Sequence, residues 1–122
     1  MSKIVLIEDE VLVLEATKEL LKTFGHDVRA VFSGGDAFRV LAEEKGEVDL
    51  VILDLSLPDI DGRQLLLQLV RDYPQIRIII CSGSQLDEQE FSSIPNVKAL
   101  LGKPYGMSEL KAVVCQALES GQ

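Results

Sequence analysis

Tryptophan is missing from the chain and aromatics make up 5% of it, although 47% of the residues are hydrophobic. The core must therefore be built from aliphatic side chains, which suits a compact α/β domain. Only two cysteines occur, Cys81 inside an apolar run and Cys115 on a predicted helix, with no CxxC and no Cys/His cluster. That pattern suggests neither a zinc site nor a disulfide framework, and a reduced, cytoplasmic protein is the expectation. Lysine and arginine are scarce, 12 against 20 aspartates and glutamates, for a net charge of −8. So acidic a domain argues against nucleic acid or an acidic membrane surface as a direct partner. No apolar run approaches a membrane span, and no basic stretch followed by an apolar one marks an export signal.

What is present is a regular alternation. At 122 residues, without repeat, linker or low-complexity stretch, the chain reads as a single domain over residues 1–122. The polar tail at 119–122 reads as the place where that domain stops. Strand-like runs fall at 3–7, 27–31, 50–53, 77–81 and 97–101. Helix-like stretches fall at 10–24, 35–44, 62–72 and 107–119, with a weak one at 87–91. In the first helix Val13, Ala16, Leu20 and Phe24 share a face; in the last, Met107, Leu110, Val114 and Ala117 do. Gly25 suits a helix C-cap, and Gly106 with Glu109 three residues on suits an N-terminus. The first, third and fourth runs are continuously apolar, the signature of interior strands in a parallel sheet covered on both faces. Five such units predict a doubly wound sheet, whose ligand sits beyond the carboxyl ends of the strands.

The strand ends carry the chemistry. The first runs into Glu8 and Asp9, the third ends at Asp54, the fourth at Ser82 and Gly83, the fifth at Lys103 and Pro104. The second ends in nothing chemical, so the other four become contiguous if it is the edge. An ionised side chain at the end of a buried strand costs several kcal/mol unless it is paired or bound to a metal. Carboxylates about 4 Å apart repel by roughly 4 kcal/mol at an effective dielectric near 20, so crowded acids hold protons or a cation. Oxygen-only ligands favour a hard ion such as Mg²⁺. Carboxylate, Mg²⁺, lysine and hydroxyl together are what a transferring phosphoryl group needs. On the same electrostatics, neutralising Asp9, or more mildly Glu8, should relieve repulsion in metal-free buffer.

At these residues the chain resembles, over essentially its whole length, the receiver domains of two-component response regulators. The resemblance implies a flavodoxin-like five-stranded parallel sheet of order 2-1-3-4-5 with helices on both faces. It makes Asp54 the phosphoacceptor, Asp9 a direct Mg²⁺ ligand, Glu8 a helper through water and the Ser56 carbonyl a third protein ligand. Lys103 would pair with the acid or the phosphoryl oxygens. Ser82 would swing to the phosphoryl group, with access given by small Gly83. Pro104 after Lys103 implies a cis peptide. Phosphodonors would be a sensor histidine kinase or a histidine phosphotransfer protein, and a downstream effector would read the switch. The domain would work as a monomer or weak dimer, without acting as an enzyme beyond its own phosphorylation and dephosphorylation.

Two departures qualify that picture. Glu8 stands where the family more often has aspartate. Leu100, three before the lysine, replaces a usual aromatic that the family couples to the Ser/Thr movement, and Tyr105 is a partial substitute. Pro95 also cuts the fourth helix short. Glu10 reads as a helix N-terminal acid, His26 as a solvated loop residue, Cys81 as core and Cys115 as a partly exposed thiol. Two rivals stay open: a pseudo-receiver that binds partners without phosphorylation, and an aspartate-based phosphohydrolase. The latter commonly needs a second acid two residues after its nucleophile, where this chain has Ser56.

Overall fold

The computed structural model describes residues 2–119, so the expected stop of the domain at 119–122 falls, Glu119 apart, outside the described residues. Strands and helices alternate as β1 (Lys3–Ile7), α1 (Val11–Thr23), β2 (Asp27–Val31), α2 (Gly34–Glu43) and β3 (Leu50–Asp54). They continue as α3 (Gly62–Asp72), β4 (Ile78–Ser82), α4 (Glu88–Phe91), β5 (Val97–Gly102) and α5 (Met107–Glu119). All strand pairs are parallel, in the order β2-β1-β3-β4-β5, so β2 is an edge as its featureless end suggested.

Side-chain alternation along the strands builds two aliphatic layers. Val5, Ile7, Val51, Leu53, Ile78 and Ile80 face α2, α3 and α4, where Leu41, Leu65, Leu69 and Phe91 meet them. Ile4, Leu6, Leu50, Ile52, Ile79 and Leu101 face α1 and α5, against Leu14, Leu21, Leu110 and Val114. Each fully buried leucine or isoleucine is worth about 1.5–3 kcal/mol, and Phe91 is the one aromatic among the buried core residues described. The same period of two decides what the strand ends can meet. Glu8 continues the series 4, 6, 8; Asp54 continues 50, 52, 54; Lys103 continues 99, 101, 103. These three fall on the α1/α5 side. Ser82, in the series 78, 80, 82, falls on the other.

The boundaries differ from expectation where side chains chemically matter. β3 and β4 each extend to include Asp54 and Ser82, because Asp54 still pairs with Cys81 and Ser82 with Gly102. Glu10 sits before α1 as its N-cap residue, without a side-chain cap. Gly25, at φ 95°, ends that helix in a Schellman motif: its N–H reaches Lys22 O and that of His26 reaches Leu21 O. The buried stripe of α1 is Leu14, Thr17 and Leu21, not the one beginning at Val13. Both stripes fit a period of 3.6; the inward one carries Thr17, whose hydroxyl finds a partner there. Of the other stripe, Leu20 and Phe24 pack partly against the core. In α5, Leu110, Val114 and Ala117 are buried as expected, while Met107, in the first turn, is exposed. His26 is half-buried rather than solvated, with Nδ1 buried and unpartnered, and burial lowers its pKa. Short α4 ends before Pro95 as the sequence predicts.

Candidate functional site

At the carboxyl edge of the sheet, Glu8 and Asp54 are 2% and 1% exposed, deeper than acids ordinarily lie. Lys103, just past β5, reaches both. Its Nζ lies 2.7 Å from Glu8 Oε1, 3.0 Å from Asp54 Oδ2 and 3.3 Å from Glu10 Oε1. An ammonium has three N–H groups, so these partners use them all. The backbone completes the arrangement: Ser56 N donates to Asp54 Oδ1 at 3.0 Å, and Glu10 N to Glu8 Oε2 at 3.0 Å. Burial pushes the Glu8 carboxyl above its ordinary range, against the opposing pull of Lys103 and the Glu10 N–H. Burial also works against the Lys103 ammonium, but its bonds to Glu8 and Asp54 outweigh that and hold it above its usual value.

Asp9 joins the same edge, half-buried. One carboxylate oxygen from each of Glu8, Asp9 and Asp54 lies within 4.8 Å of the others. No nitrogen or sulfur ligand takes part in this trio, and a set of hard oxygen donors fits a hard cation. Lys103 partly offsets the negative charge of the pocket and leaves none of its N–H groups for Asp9.

The hydroxyl stands apart. Ser82 is buried, its Oγ accepting from Ser84 N at 3.0 Å, while its carbonyl accepts from Lys103 N at 2.8 Å. A side chain at Gly83 would meet no protein atom within 4 Å, so the space beside that glycine is open. Ser56 is exposed at the mouth of the pocket. The peptide between Lys103 and Pro104 is cis. Leu100 is half-buried and packs with the α2/α3/α4 layer, beside a groove that Phe91 and Val97 also line.

Sequence reasoning missed two features here. Glu10 was read as a plain helix-terminal acid, yet its side chain shares Lys103. Tyr105 does not lie toward the hydroxyl: its OH is 2.7 Å from Thr17 Oγ1, and burial pushes the phenol up to about 12. The sequence offers as a signal only a threonine in mid-helix, between Leu14 and Leu21 at helical spacing. Val13, Ala16, Leu20 and Tyr105 line an apolar groove of about 580 Å³ that opens onto Lys103 and Ser56. Cys81 lies beneath Asp54, its thiol pushed up to about 12 by burial and by that neighbouring acid, in keeping with a core role. Cys115 is exposed.

A doubly wound sheet with a buried strand-end acid, an acidic neighbour pair and a lysine defines a receiver. The chain belongs to the response regulator receiver domain family, whose model matches residues 4–115. It is 32% identical over 117 residues to the sensor kinase CckA of Brucella abortus, covering 95% of this chain and 12% of that protein. To the transcriptional regulatory protein CrdR of Helicobacter pylori it is 30% identical over 112 residues, 90% of this chain and 52% of the relative. The chain thus spans about half or less of the length of these relatives. Among solved structures, a response regulator receiver domain protein from Clostridium thermocellum superposes with a TM-score of 0.85 at 26% identity, covering 97% of this chain and 94% of that one. The BeF3-activated N-terminal receiver domain of Klebsiella pneumoniae RstA superposes with a TM-score of 0.81 at 29% identity, covering 97% and 99%. Among the described residues, no helix is long and apolar enough to cross a membrane.

Proposed function

We propose that this receiver, a single domain over residues 1–122, takes a phosphoryl group onto Asp54 and signals through the resulting change of state. The observation that carries the reading is the lysine shared between buried Asp54 and Glu8, with Asp9 close enough to complete a cation site. Asp9, Asp54 and the Ser56 carbonyl would hold Mg²⁺, with Glu8 assisting through water. Bound there, the ion would offset charge on the phosphoryl oxygens, beyond what Lys103 alone supplies.

The chain's own residues account for the rest. A carboxylate oxygen of Asp54 forms the new bond to phosphorus as the bond from phosphorus to the donor breaks. With a phosphohistidine donor, the imidazole nitrogen keeps that electron pair. Lys103 exchanges one carboxylate contact for a phosphoryl oxygen. Ser82 breaks its bond from Ser84 N and turns its hydroxyl to the phosphoryl group through the space beside Gly83. The domain acts only on its own aspartate and turns over no separate substrate. The donor is a sensor histidine kinase or a histidine phosphotransfer protein in the cytoplasm, and the reader is a downstream effector. Relatives that pair a receiver with a kinase or a regulator support both roles. A reader responds to the extent that it binds one state better than the other. Leu100 offers neither ring nor hydroxyl to the switch, so the bias is small and the protein stays a monomer or weak dimer.

The test is labelling by acetyl phosphate with Mg²⁺. An acid-labile, hydroxylamine-sensitive modification is expected at Asp54, lost in Asp54→Asn while the fold persists. Undiminished labelling of that variant would remove Asp54 from its role, and turnover of a phosphomonoester would favour the hydrolase reading.

A further inference from the structure

The loop from Asp54 to α3 carries Ser56, yet its tip is fastened to a different element. Asp59 Oδ1 accepts from Gly34 N at 3.0 Å and Asp59 Oδ2 from Gly35 N at 3.0 Å. These are the first two N–H groups of α2, which a helix cannot satisfy by itself. The next two are met locally, Asp36 N by Ser33 Oγ at 3.2 Å and Ala37 N by Ser33 O at 3.1 Å. Asp59 therefore completes the cap of α2 from 24 and 25 residues away in sequence. The same donors, Gly34 first, hold its carboxyl below the ordinary range, as expected for an acid at a helix N-terminus.

Sterics close the loop around that bond. A side chain at Gly34 would collide with Ile60 Cγ2, and one at Gly62 with the backbone of Leu55. The loop is thus held at its start by Ser56 N on Asp54, at its tip by α2, and at its end by contact with its own beginning. Between the first and second of these points lies the Ser56 carbonyl.

We propose that Asp59 is a positioning residue for the cation site: by fastening the loop to α2 it holds the Ser56 carbonyl where Asp9 and Asp54 can use it. The inference rests on the Mg²⁺ reading above and adds a residue outside the acidic trio. Groups that orient metal ligands in this way change affinity by about 10–100-fold when removed.

The experiment is a Mg²⁺ titration of the full chain, followed by amide chemical shifts, for the parent, Asp59→Ala, Asp59→Asn and Asp61→Ala. Asp61 belongs to the same loop but caps α3, accepting from Arg63 N at 2.9 Å, and so controls for lost stability. Asp59→Ala should raise the Mg²⁺ dissociation constant about tenfold, and Asp59→Asn, which keeps one acceptor, about threefold. Asp61→Ala should lower the urea midpoint without a comparable change in affinity. In phosphorylation by acetyl phosphate, Asp59→Ala should shift the Mg²⁺ half-saturation more than the plateau rate. Parental affinity in Asp59→Ala, with Gly34 and Gly35 amides exchanging faster, overturns the inference. An equal weakening in Asp61→Ala does the same, since general loosening would then suffice. A parent that binds no Mg²⁺ overturns the underlying reading, and this one with it; a parent that binds while Asp59→Ala is unchanged overturns this one alone.

Discussion

Two ionic clusters sit at different places on this molecule, and they are built on opposite terms. Where β1 begins and α2 ends, Lys3, Arg29 and Arg39 meet Asp36, Glu43 and Glu44 in a matched, largely exposed network. At the carboxyl edge four carboxylates gather, two of them fully buried, and three share Lys103 while Asp9 does not. The first arrangement is what a surface does with charge: each group has a partner, and solvent screens the pairs. The second withholds a partner from Asp9 and leaves negative charge in a place water does not reach well. Stability alone does not favour that design, since buried ions rarely repay their desolvation. The cation proposed above would compensate that cost by offsetting the unmatched charge.

The largest effect should come from removing the shared cation. Lys103→Met leaves Glu8 and Asp54 buried without their ammonium, which costs roughly 1–3 kcal/mol for an unsatisfied buried acceptor. Because burial already pushes the Glu8 carboxyl up, it can take a proton once Lys103 is gone. A group with a raised folded-state pKa supports the fold at low pH and loses that support as pH rises through the folded value. The loss should therefore be greatest near neutral pH, and part of it should return in mildly acidic buffer. Urea unfolding with and without Mg²⁺ checks this, with recovery by the metal expected. A midpoint equal to the parent's at neutral pH would mean the lysine is incidental.

Next come the acids themselves. The sequence alone leads one to expect that neutralising either Asp9 or Glu8 relieves repulsion. The structure separates them. Asp9→Asn removes a charge that Lys103 has no N–H left to meet, and should gain roughly 1 kcal/mol in metal-free buffer after allowance for screening at a half-buried position. Glu8→Gln takes the charge out of the 2.7 Å contact with Lys103 and leaves one acceptor for two donors, Lys103 Nζ and Glu10 N, so it should lose roughly 1 kcal/mol instead. Both should weaken Mg²⁺ binding. Equal stabilisation by the two substitutions would show that the lysine bond to Glu8 contributes little.

That reversal shows where sequence reading stops. The alternation of strands and helices follows from the apolar runs, the short α4 from Pro95, and the candidate acids, hydroxyl and lysine from what ends the runs. The order 2-1-3-4-5 with β2 at the edge comes from the resemblance to receiver domains. Parity even explains why Ser82 lies off the Glu8, Asp54 and Lys103 line. What the sequence does not contain is reach. Whether a four-carbon lysine arm ends on Glu8, Asp9 or Glu10 depends on positions fixed by three separate strands. In α1, two apolar stripes fit the helical period equally, and nothing in the sequence pairs Thr17 with Tyr105, whose 2.7 Å bond accompanies the inward stripe. Asp59 reads as one more turn acid until α2 is placed beside it.

The smallest effect, and the sharpest contrast, lies in the balanced network. Glu44 accepts from Lys3 at 2.6 Å and from Arg29 at 2.8 Å, and these cations hold its carboxyl below the ordinary range. Arg29, then Arg39, does the same for Glu43. A depressed folded-state pKa means a contribution that is present above the ordinary carboxylate range and is lost as pH falls through the lowered value. Glu44→Gln should therefore lower the urea midpoint slightly at neutral pH and low salt, by less than Lys103→Met or Glu8→Gln does. The difference from the parent should fade in acid, where the parent's own carboxylates take up protons. It should also fade at about 1 M salt, where the Debye length is only about 3 Å. The cost of Lys103→Met should largely survive the same concentration of a monovalent salt, because buried pairs are screened much less than exposed ones. If salt erased both differences equally, the carboxyl edge would be an ordinary surface cluster, and the distinction between the two regions would fail.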